Sequence, residues 1–209
     1  AKIQFYYPEN RQKMAIFVTR EAAPLYDLLI KHQSGELPCE IPCIFSNHQD
    51  LENTAKQFNI PFHHLPLSPE TKSDQENAIR EIIKKENIDL LVLARYMQIL
   101  SSAFVTDYQG RIINIHHGFL PAFKGNNPYR KAWERGVKMI GATAHYVTAD
   151  LDEGPIIDQD VVSVNHQHSV KEMVQAGRDI ERRVLTSAVK AHLEHRIILD
   201  GQRTIIFHS

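Results

Sequence analysis

Short, continuous apolar runs recur in the first half of the chain, and segments with helical spacing separate them. "DLLVLA" (89–94) is the clearest run, "MAIFVT" (14–19) is another, and "RIINIH" (111–116) is the next predicted strand although polar residues interrupt it. Such runs are typical of strands buried on both faces, as in a parallel sheet. After the first run, Leu25 and Leu29 lie at helical spacing. The alternation predicts βαβ units and an α/β fold with an open, mostly parallel sheet and helices on both faces.

Less regular elements are predicted between these runs. "EIPCIF" (40–45) and "PFHHLPL" (61–67) resemble short strands, and Pro42 moves the former toward a sheet edge because proline lacks a backbone donor. Ser73 and Glu76 have the spacing of a capping box, which predicts the start of a helix.

The second half predicts a different arrangement. "MIGATAHYVT" (139–148) and "IIDQDVVSV" (156–164) indicate two strands joined by a turn, which would extend the sheet in mixed fashion. Ser169 and Glu172 predict a capping box before a long helix. "RIILDGQRTIIF" (196–207) predicts a final hairpin that turns at Asp200-Gly201.

Composition limits the classes of partner. The 209 residues carry a formal net charge of -1 without a long basic run, which argues against nucleic acid and anionic membranes as partners. No apolar run is long enough to span a bilayer, and the N-terminus does not resemble a signal peptide. Cys39 and Cys43 are interpreted as reduced, buried thiols, so a cytoplasmic location is expected.

The first residues differ from the rest of the chain. The sequence begins with Ala1, and "YYPENRQK" (6–13) is polar. We therefore expect residues 1–13 to be an N-terminal tail or the remnant of a linker, and residues 14–209 to form one domain.

Polar residues interrupt the apolar pattern in "INIHHGFLP" (113–121). On a strand Asn114 and His116 point to the same face, and they stand at the carboxyl end, where open α/β sheets place their ligand crevice. Gly118 permits a turn there. An asparagine in this place could equally satisfy a loop hydrogen bond. The pair followed by Gly-x-x-Pro favours a functional site.

A second polar cluster, "DLDEGP" (150–155), supplies three carboxylates. Position alone does not decide which of them is catalytic, although Asp152 is the best placed. His145, upstream, is interpreted as a half-buried strand residue. Together with His116 and His117 these side chains could hold a metal, but neither H-x-x-x-H nor H-E-x-x-H occurs, so no metal is predicted.

Asparagine, histidine and aspartate without a serine or cysteine nucleophile suit a reaction in which an external nucleophile attacks a carbonyl. The chain lacks G-x-S-x-G, and neither cysteine lies in an electropositive turn. An asparagine amide can donate to a developing oxyanion, a histidine can carry a proton, and an aspartate can orient the histidine and a water or act as base.

The segment that runs from "INIHHGFLP" to "DLDEGPIIDQDV" (113–161) resembles proteins of the formyltransferase fold that use 10-formyltetrahydrofolate. More narrowly, it is similar to the formyltetrahydrofolate deformylases, which release formate and tetrahydrofolate. "LARYMQILSSAFV" (93–105) and "VTREAAPLYDLL" (18–29) fit the same family. The resemblance covers almost the whole chain and implies a Rossmann-like domain.

The resemblance also implies the site. Its catalytic trio falls on Asn114, His116 and Asp152, which selects one of the three carboxylates. The implied folate-binding residues are Met97, Leu100, His117, Gly118, Thr143 and Val147. No cofactor is expected beside the folate substrate, and we expect a homo-oligomer. Formate release would supply purine synthesis and balance one-carbon pools.

Two departures accompany the resemblance. Gly118 stands where the family usually has serine, which removes one hydroxyl near the site. The family usually carries an N-terminal ACT-type regulatory domain, which these residues do not contain.

Two alternatives remain open. Glycinamide ribonucleotide formyltransferases share the trio, but they hold the acceptor's phosphate on a glycine-rich turn after the first strand. The equivalent "FVTREAAPLY" (17–26) has no glycine, and His117 replaces the usual proline. A non-catalytic folate-binding protein is the other alternative, which the presence of all three catalytic residues disfavours.

Overall fold

A computed structural model describes residues 6–7, 10–68, 70–121 and 128–207. Residues 1–5 and 8–9 of the expected tail, residues 1–13, lie outside the described residues, and the first strand already begins at Gln12. The strands are β1 Gln12–Val18, β2 Cys39–Glu40, β3 Ile44–Ser46, β4 Phe62–His64, β5 Leu90–Leu93, β6 Ile112–His116, β7 Met139–Tyr146, β8 Ile156–Ser163, β9 Ile197–Asp200 and β10 Arg203–Ile206. The helices are α1 Ala23–Gln33, α2 Glu52–Gln57, α3 Lys72–Glu86, α4 Ser102–Asp107, α5 Pro128–Arg135 and α6 Val170–Leu193.

The predicted α/β architecture is confirmed. The main sheet has the order β4-β3-β1-β5-β6-β7-β8, with β2 also paired to β1. Pairing is parallel from β4 to β6, whereas β7 and β8 are antiparallel, which gives the mixed extension that the sequence predicted. Separate apolar clusters cover the two faces: α1 and α6 pack on one, and α3 and α4 on the other. The polar carboxyl ends of β5 and β6 lie in the middle of this sheet.

Pro42 divides the predicted strand 40–45 in two. Cys39 and Glu40 pair with the start of β1, and the strand resumes at Ile44 beside the end of β1. Proline has no N–H to donate to a ladder, so the pairing breaks at that point.

The predicted capping box at Ser73 and Glu76 is wrong. The helix begins at Lys72, so Ser73 already lies within it. The buried carboxylate of Glu76 instead accepts hydrogen bonds from the backbone N–H of Ser101, at 2.7 Å, and from the Ser101 hydroxyl. The Ser101 oxygen in turn accepts from Phe104 N as the N-cap of α4. This contact anchors the segment between β5 and α4 beside the carboxyl end of the sheet.

The last two predicted elements are confirmed. Ser169 and Glu172 form the capping box of α6, and β9 pairs antiparallel with β10. Asp200 is opposite Arg203, so Gly201 and Gln202 make the turn, with Gly201 at a φ of 61°. Among the described residues, no helix is long and apolar enough to cross a bilayer.

Candidate active site

A cavity of about 300 Å³ lies where β5 and β6 end. Asn114, His116 and Asp152, the three residues predicted as catalytic, all line it. The segment 95–100 after β5 and the segment 147–152 after β7 form its other walls. The predicted trio is therefore brought together in one crevice at the carboxyl edge of the parallel strands, as expected for an open α/β sheet.

Asp152 contacts two histidines. Its Oδ2 lies 3.2 Å from Nδ1 of His116, and its Oδ1 lies 3.7 Å from Nε2 of His145. The hydrogen bond from His116 holds the pKa of the Asp152 carboxyl well below its ordinary value. Asp152 is therefore an anion at neutral pH, and it favours the tautomer of His116 in which Nδ1 carries a proton.

The turn after β7 directs this carboxylate back toward the strands. Asp152 has a φ of 57°, a left-handed conformation that aspartate tolerates better than most residues. Gly154 packs so closely that a Cβ there would lie 1.7 Å from the carbonyl oxygen of Tyr146. Only glycine fits this position, so the "DEGP" sequence builds the turn as well as supplying the carboxylate.

Asn114 is held by His145, its opposite partner on β7. Nδ1 of His145 lies 2.9 Å from the carbonyl oxygen of Tyr146, which only accepts, so Nδ1 is the protonated nitrogen. Nε2 of His145 is then an acceptor for the Asn114 amide, at 3.3 Å. This distance fits a hydrogen bond better than the 3.7 Å to Asp152. One N–H of the Asn114 amide is fixed by this contact, and the other has no hydrogen-bond partner in the part of the chain that the structure describes.

His117 is a neutral side chain next to this cluster. Its ring stacks on His116 with centroids 5.2 Å apart, and both rings line the cavity. Burial, followed by the positive charge of Arg95, lowers the pKa of His117 to about 4. The family resemblance placed His117 among the folate-binding residues, and the structure makes it an uncharged part of the cavity wall.

The predicted folate-binding residues fall into two groups. Met97, Leu100 and Val147 line the cavity, as His117 does. Gly118 lines a neighbouring cavity, and Thr143 is fully buried behind the site.

Thr143 is a structural residue, contrary to its predicted place among the ligand contacts. Its hydroxyl donates to the Gly118 carbonyl at 2.9 Å and accepts from Leu120 N and from the Gln159 amide. It fixes the loop that follows β6, with no polar atom left for a ligand.

Sequence reasoning missed two residues of this site. His145 was interpreted as an ordinary strand residue, because the register that sets it opposite Asn114 is a property of the fold. Arg95 lines the cavity at a φ of 62°, and nothing in its sequence neighbourhood distinguishes it from a surface cation. Within the described ranges, no group of three or more histidine, cysteine, aspartate or glutamate side chains is arranged to hold a metal ion.

Comparison with protein families supports the arrangement. The formyl transferase family model matches residues 12–189. A formyltetrahydrofolate deformylase from Synechocystis sp. is 52% identical over 204 residues, which cover 98% of this chain and 72% of the relative. The chain belongs to the formyltetrahydrofolate deformylase family. The deformylase of Escherichia coli strain K12 is 45% identical over 95% of the chain and 71% of its own length.

Solved structures separate the deformylases from the related transferases. A formyltetrahydrofolate deformylase from Pseudomonas syringae pv. tomato has a TM-score of 0.94 and 44% identity, covering 96% of this chain and 67% of its own. A glycinamide ribonucleotide transformylase from Symbiobacterium toebii reaches 0.87 with 28% identity, covering 100% and 99%. The fold is shared by both groups, whereas sequence identity is higher to the deformylases. This chain spans 66% of the length of the Bacillus subtilis formyltetrahydrofolate deformylase.

Proposed function

We propose that this chain hydrolyses 10-formyltetrahydrofolate to formate and tetrahydrofolate. The observation that carries the proposal is the contact between Asp152 and His116 beside Asn114, in a crevice that the segments 95–100 and 147–152 enclose. The names of the similar proteins support the same substrate. The folate would lie along the apolar wall of Met97, Leu100 and Val147, with its formyl group over Asn114 and His116.

In this proposal His116 removes a proton from the attacking water. Asp152 stays ionised because the pKa of its carboxyl is held low, so it is a weak base itself and serves to orient and polarise His116. With Nδ1 of His116 directed to Asp152, its Nε2 is the nitrogen that can accept the proton. The pairing follows the general logic of a carboxylate that fixes a histidine tautomer.

Asn114 stabilises the oxyanion that forms on the formyl oxygen. The amide is neutral at all accessible pH values, and its hydrogen bond to His145 fixes its direction before substrate arrives. Preorganised donors of this kind typically lower a barrier by about 3–4 kcal/mol. When the tetrahedral intermediate collapses, His116 delivers its proton to the departing nitrogen of the folate.

The turn between β1 and α1 supports water, rather than a phosphorylated amine, as the acceptor of the formyl group. This turn contains Thr19 and no glycine, and the Thr19 hydroxyl is already engaged: it donates to Asn47 and accepts from Met97 N at 3.1 Å. The hydroxyl thus holds the wall of the folate crevice. A phosphate-binding nest of converging backbone N–H groups would need a glycine-rich turn at this point.

The decisive experiment gives the protein 10-formyltetrahydrofolate with and without glycinamide ribonucleotide and measures formate and tetrahydrofolate. We expect equal amounts of both products without the acceptor. Product formation only when the acceptor is present would assign a transferase instead. Tight folate binding without either product would assign a non-catalytic binding protein.

We further propose that the reaction needs no metal or other cofactor and takes place in the cytoplasm of a homo-oligomeric enzyme. Its formate would supply purine synthesis. Turnover that survives dialysis against a chelator supports the first point, and light scattering at several protein concentrations tests the oligomer.

A further inference from the structure

Three buried side-chain nitrogens in the described ranges have no hydrogen-bond partner, and they belong to two residues of the same cavity. They are Nε and Nη1 of Arg95 and Nε2 of His116. Buried polar atoms are almost always hydrogen-bonded, because leaving one unpaired costs about 1–3 kcal/mol. Their concentration at one crevice therefore indicates a ligand subsite.

Contacts with buried residues fix the position of the Arg95 side chain. Its Nη1 lies 3.4 Å from Oε2 of Glu181, close enough for charge attraction but without the alignment of a hydrogen bond. Glu181 is 2% exposed and accepts a 2.6 Å hydrogen bond from the Tyr129 hydroxyl. Gly177 makes room for that ring, since a Cβ there would lie 2.2 Å from it. The network fixes the guanidinium, whose Nε and Nη1 have no hydrogen-bond partner among the described residues.

The unpaired nitrogens of Arg95 and His116 have complementary hydrogen-bonding properties. Arg95 offers only donors, whereas Nε2 of His116 is an acceptor while Nδ1 donates to Asp152. A small ligand that both accepts and donates, such as water, satisfies both residues. Arg95 and His116 line one cavity, and so does His117, whose ring stacks on His116.

We propose that Arg95 and His116 form the subsite that holds the attacking water and then the formate made from it. This inference rests on the proposed hydrolysis. Among the described residues that line the cavity, Arg95 is the only lysine or arginine, so it is the natural partner of an anionic product.

The proton balance explains how one subsite can hold both species. Water loses one proton to Nε2 of His116 as its oxygen bonds to the formyl carbon, and this proton passes to the folate nitrogen when the C–N bond breaks. The product is then formic acid, a stronger acid than imidazolium, so its remaining proton moves to His116. His116 and Arg95 are now both donors, and formate accepts from both until it leaves.

The test compares wild type, Arg95→Lys and a matched surface control, Arg203→Gln, whose residue lies on the exposed hairpin. Binding of ¹³C-labelled formate is followed by NMR, and inhibition by formate is followed during turnover. We expect Arg95→Lys to raise the dissociation and inhibition constants for formate about tenfold or more, because lysine lacks the planar set of donors. Arg203→Gln should change neither, and equal constants in wild type and a folded Arg95→Lys would overturn the proposal.

A second variant distinguishes a ligand-binding role of Arg95 from a structural one. It also tests the proposal if Arg95→Lys does not fold. Glu181→Gln keeps an acceptor for Tyr129 but removes the charge that neutralises Arg95. Formate should then bind more tightly than in wild type and raise the melting temperature more than chloride does at equal ionic strength. Weaker or unchanged formate binding would mean that the pair only braces α6 against β5.

The outcomes also distinguish this inference from the proposed function. Formate binding that depends on Arg95 in a protein without hydrolytic activity would retain the subsite and reject the hydrolase. Hydrolysis in a protein whose dissociation and inhibition constants for formate do not change in Arg95→Lys would support the hydrolase and reject the subsite.

Discussion

The two ends of the central strands β5 and β6 are both polar, but they use their polar groups differently. At the amino ends, the Asp89 carboxylate accepts from Lys13 N at 2.8 Å. Arg111 donates from Nε to the Asp89 carbonyl at 2.8 Å and from Nη2 to the Ile88 carbonyl. These groups are consumed in joining neighbouring strands.

At the carboxyl ends, hydrogen-bonding capacity is left over. Asn114 retains one N–H, and buried nitrogens of Arg95 and His116 have no partner among the described residues. Unpaired buried groups reduce stability, so they persist where a ligand completes them. The contrast indicates that a change at the carboxyl ends should reduce activity, whereas the same change at the amino ends should reduce stability.

The largest expected effect is that of Asp152→Asn. The substitution preserves size but removes the anion that fixes the Nδ1 proton of His116, so turnover should fall by roughly 10³–10⁴-fold. Formate release measures the rate, and fluorescence titration with a non-hydrolysable folate measures binding, which should stay within about threefold. A rate within tenfold of wild type would contradict the assigned role of Asp152.

Asn114→Ala should have the next largest effect. Losing the oxyanion donor should lower kcat by about 10²–10³-fold while KM changes little, because the interaction is made mainly in the transition state. The control is Thr106→Ala on the nearby helix α4, whose hydroxyl donates only to the Ser102 carbonyl. Similar losses in the two variants would indicate general disturbance of the fold.

The sequence could predict the strands and the position of the crevice because these depend on local patterns. The run 90–94 is apolar without interruption, and strand periodicity places Asn114 and His116 on one face of the next strand. The choice of Asp152 required the family resemblance, since three carboxylates share its turn.

Other features depend on tertiary contacts that no local pattern contains. Glu76 matches a capping box, yet it binds Ser101 from another element because Ser101 lies within reach only after folding. His145 and Arg95 join the site through strand register and a left-handed backbone, respectively. Their side-chain types are common in loops and strands, so sequence alone gives them no distinguishing signal.

Acid should destabilise the protein through histidines that are buried neutral at the amino ends as well as near the site. Burial, helped by the charges of His195 and Arg111, lowers the pKa of His192 to about 4, from an ordinary 6.5. The unfolded chain binds this proton below pH 6.5 and the folded chain only near pH 4, so stability falls as pH drops through that window. Asp152 contributes below its ordinary 3.8, outside the window.

His192→Asn isolates this contribution, because the asparagine oxygen can replace Nδ1 as acceptor for the Tyr146 hydroxyl. We expect the slope of unfolding free energy against pH to decrease by about 1 kcal/mol per pH unit between pH 6.5 and 4. Urea titrations at several pH values provide the measurement. An identical slope in variant and wild type would show that His192 is not the buried neutral group.

The smallest expected effect is that of Asp89→Asn, which repeats the Asp152 substitution at the opposite end of the strands. The new amide oxygen still accepts from Lys13 N, so only the charge-assisted part of that bond is lost. The free energy of unfolding should fall by about 0.5–1 kcal/mol, and formate release should stay within twofold of wild type. Parallel urea titrations and rate assays on Asp89→Asn and Asp152→Asn test the comparison directly. A rate loss at Asp89 comparable to that at Asp152 would mean that the two ends are coupled through β5, and the division of labour between them would not hold.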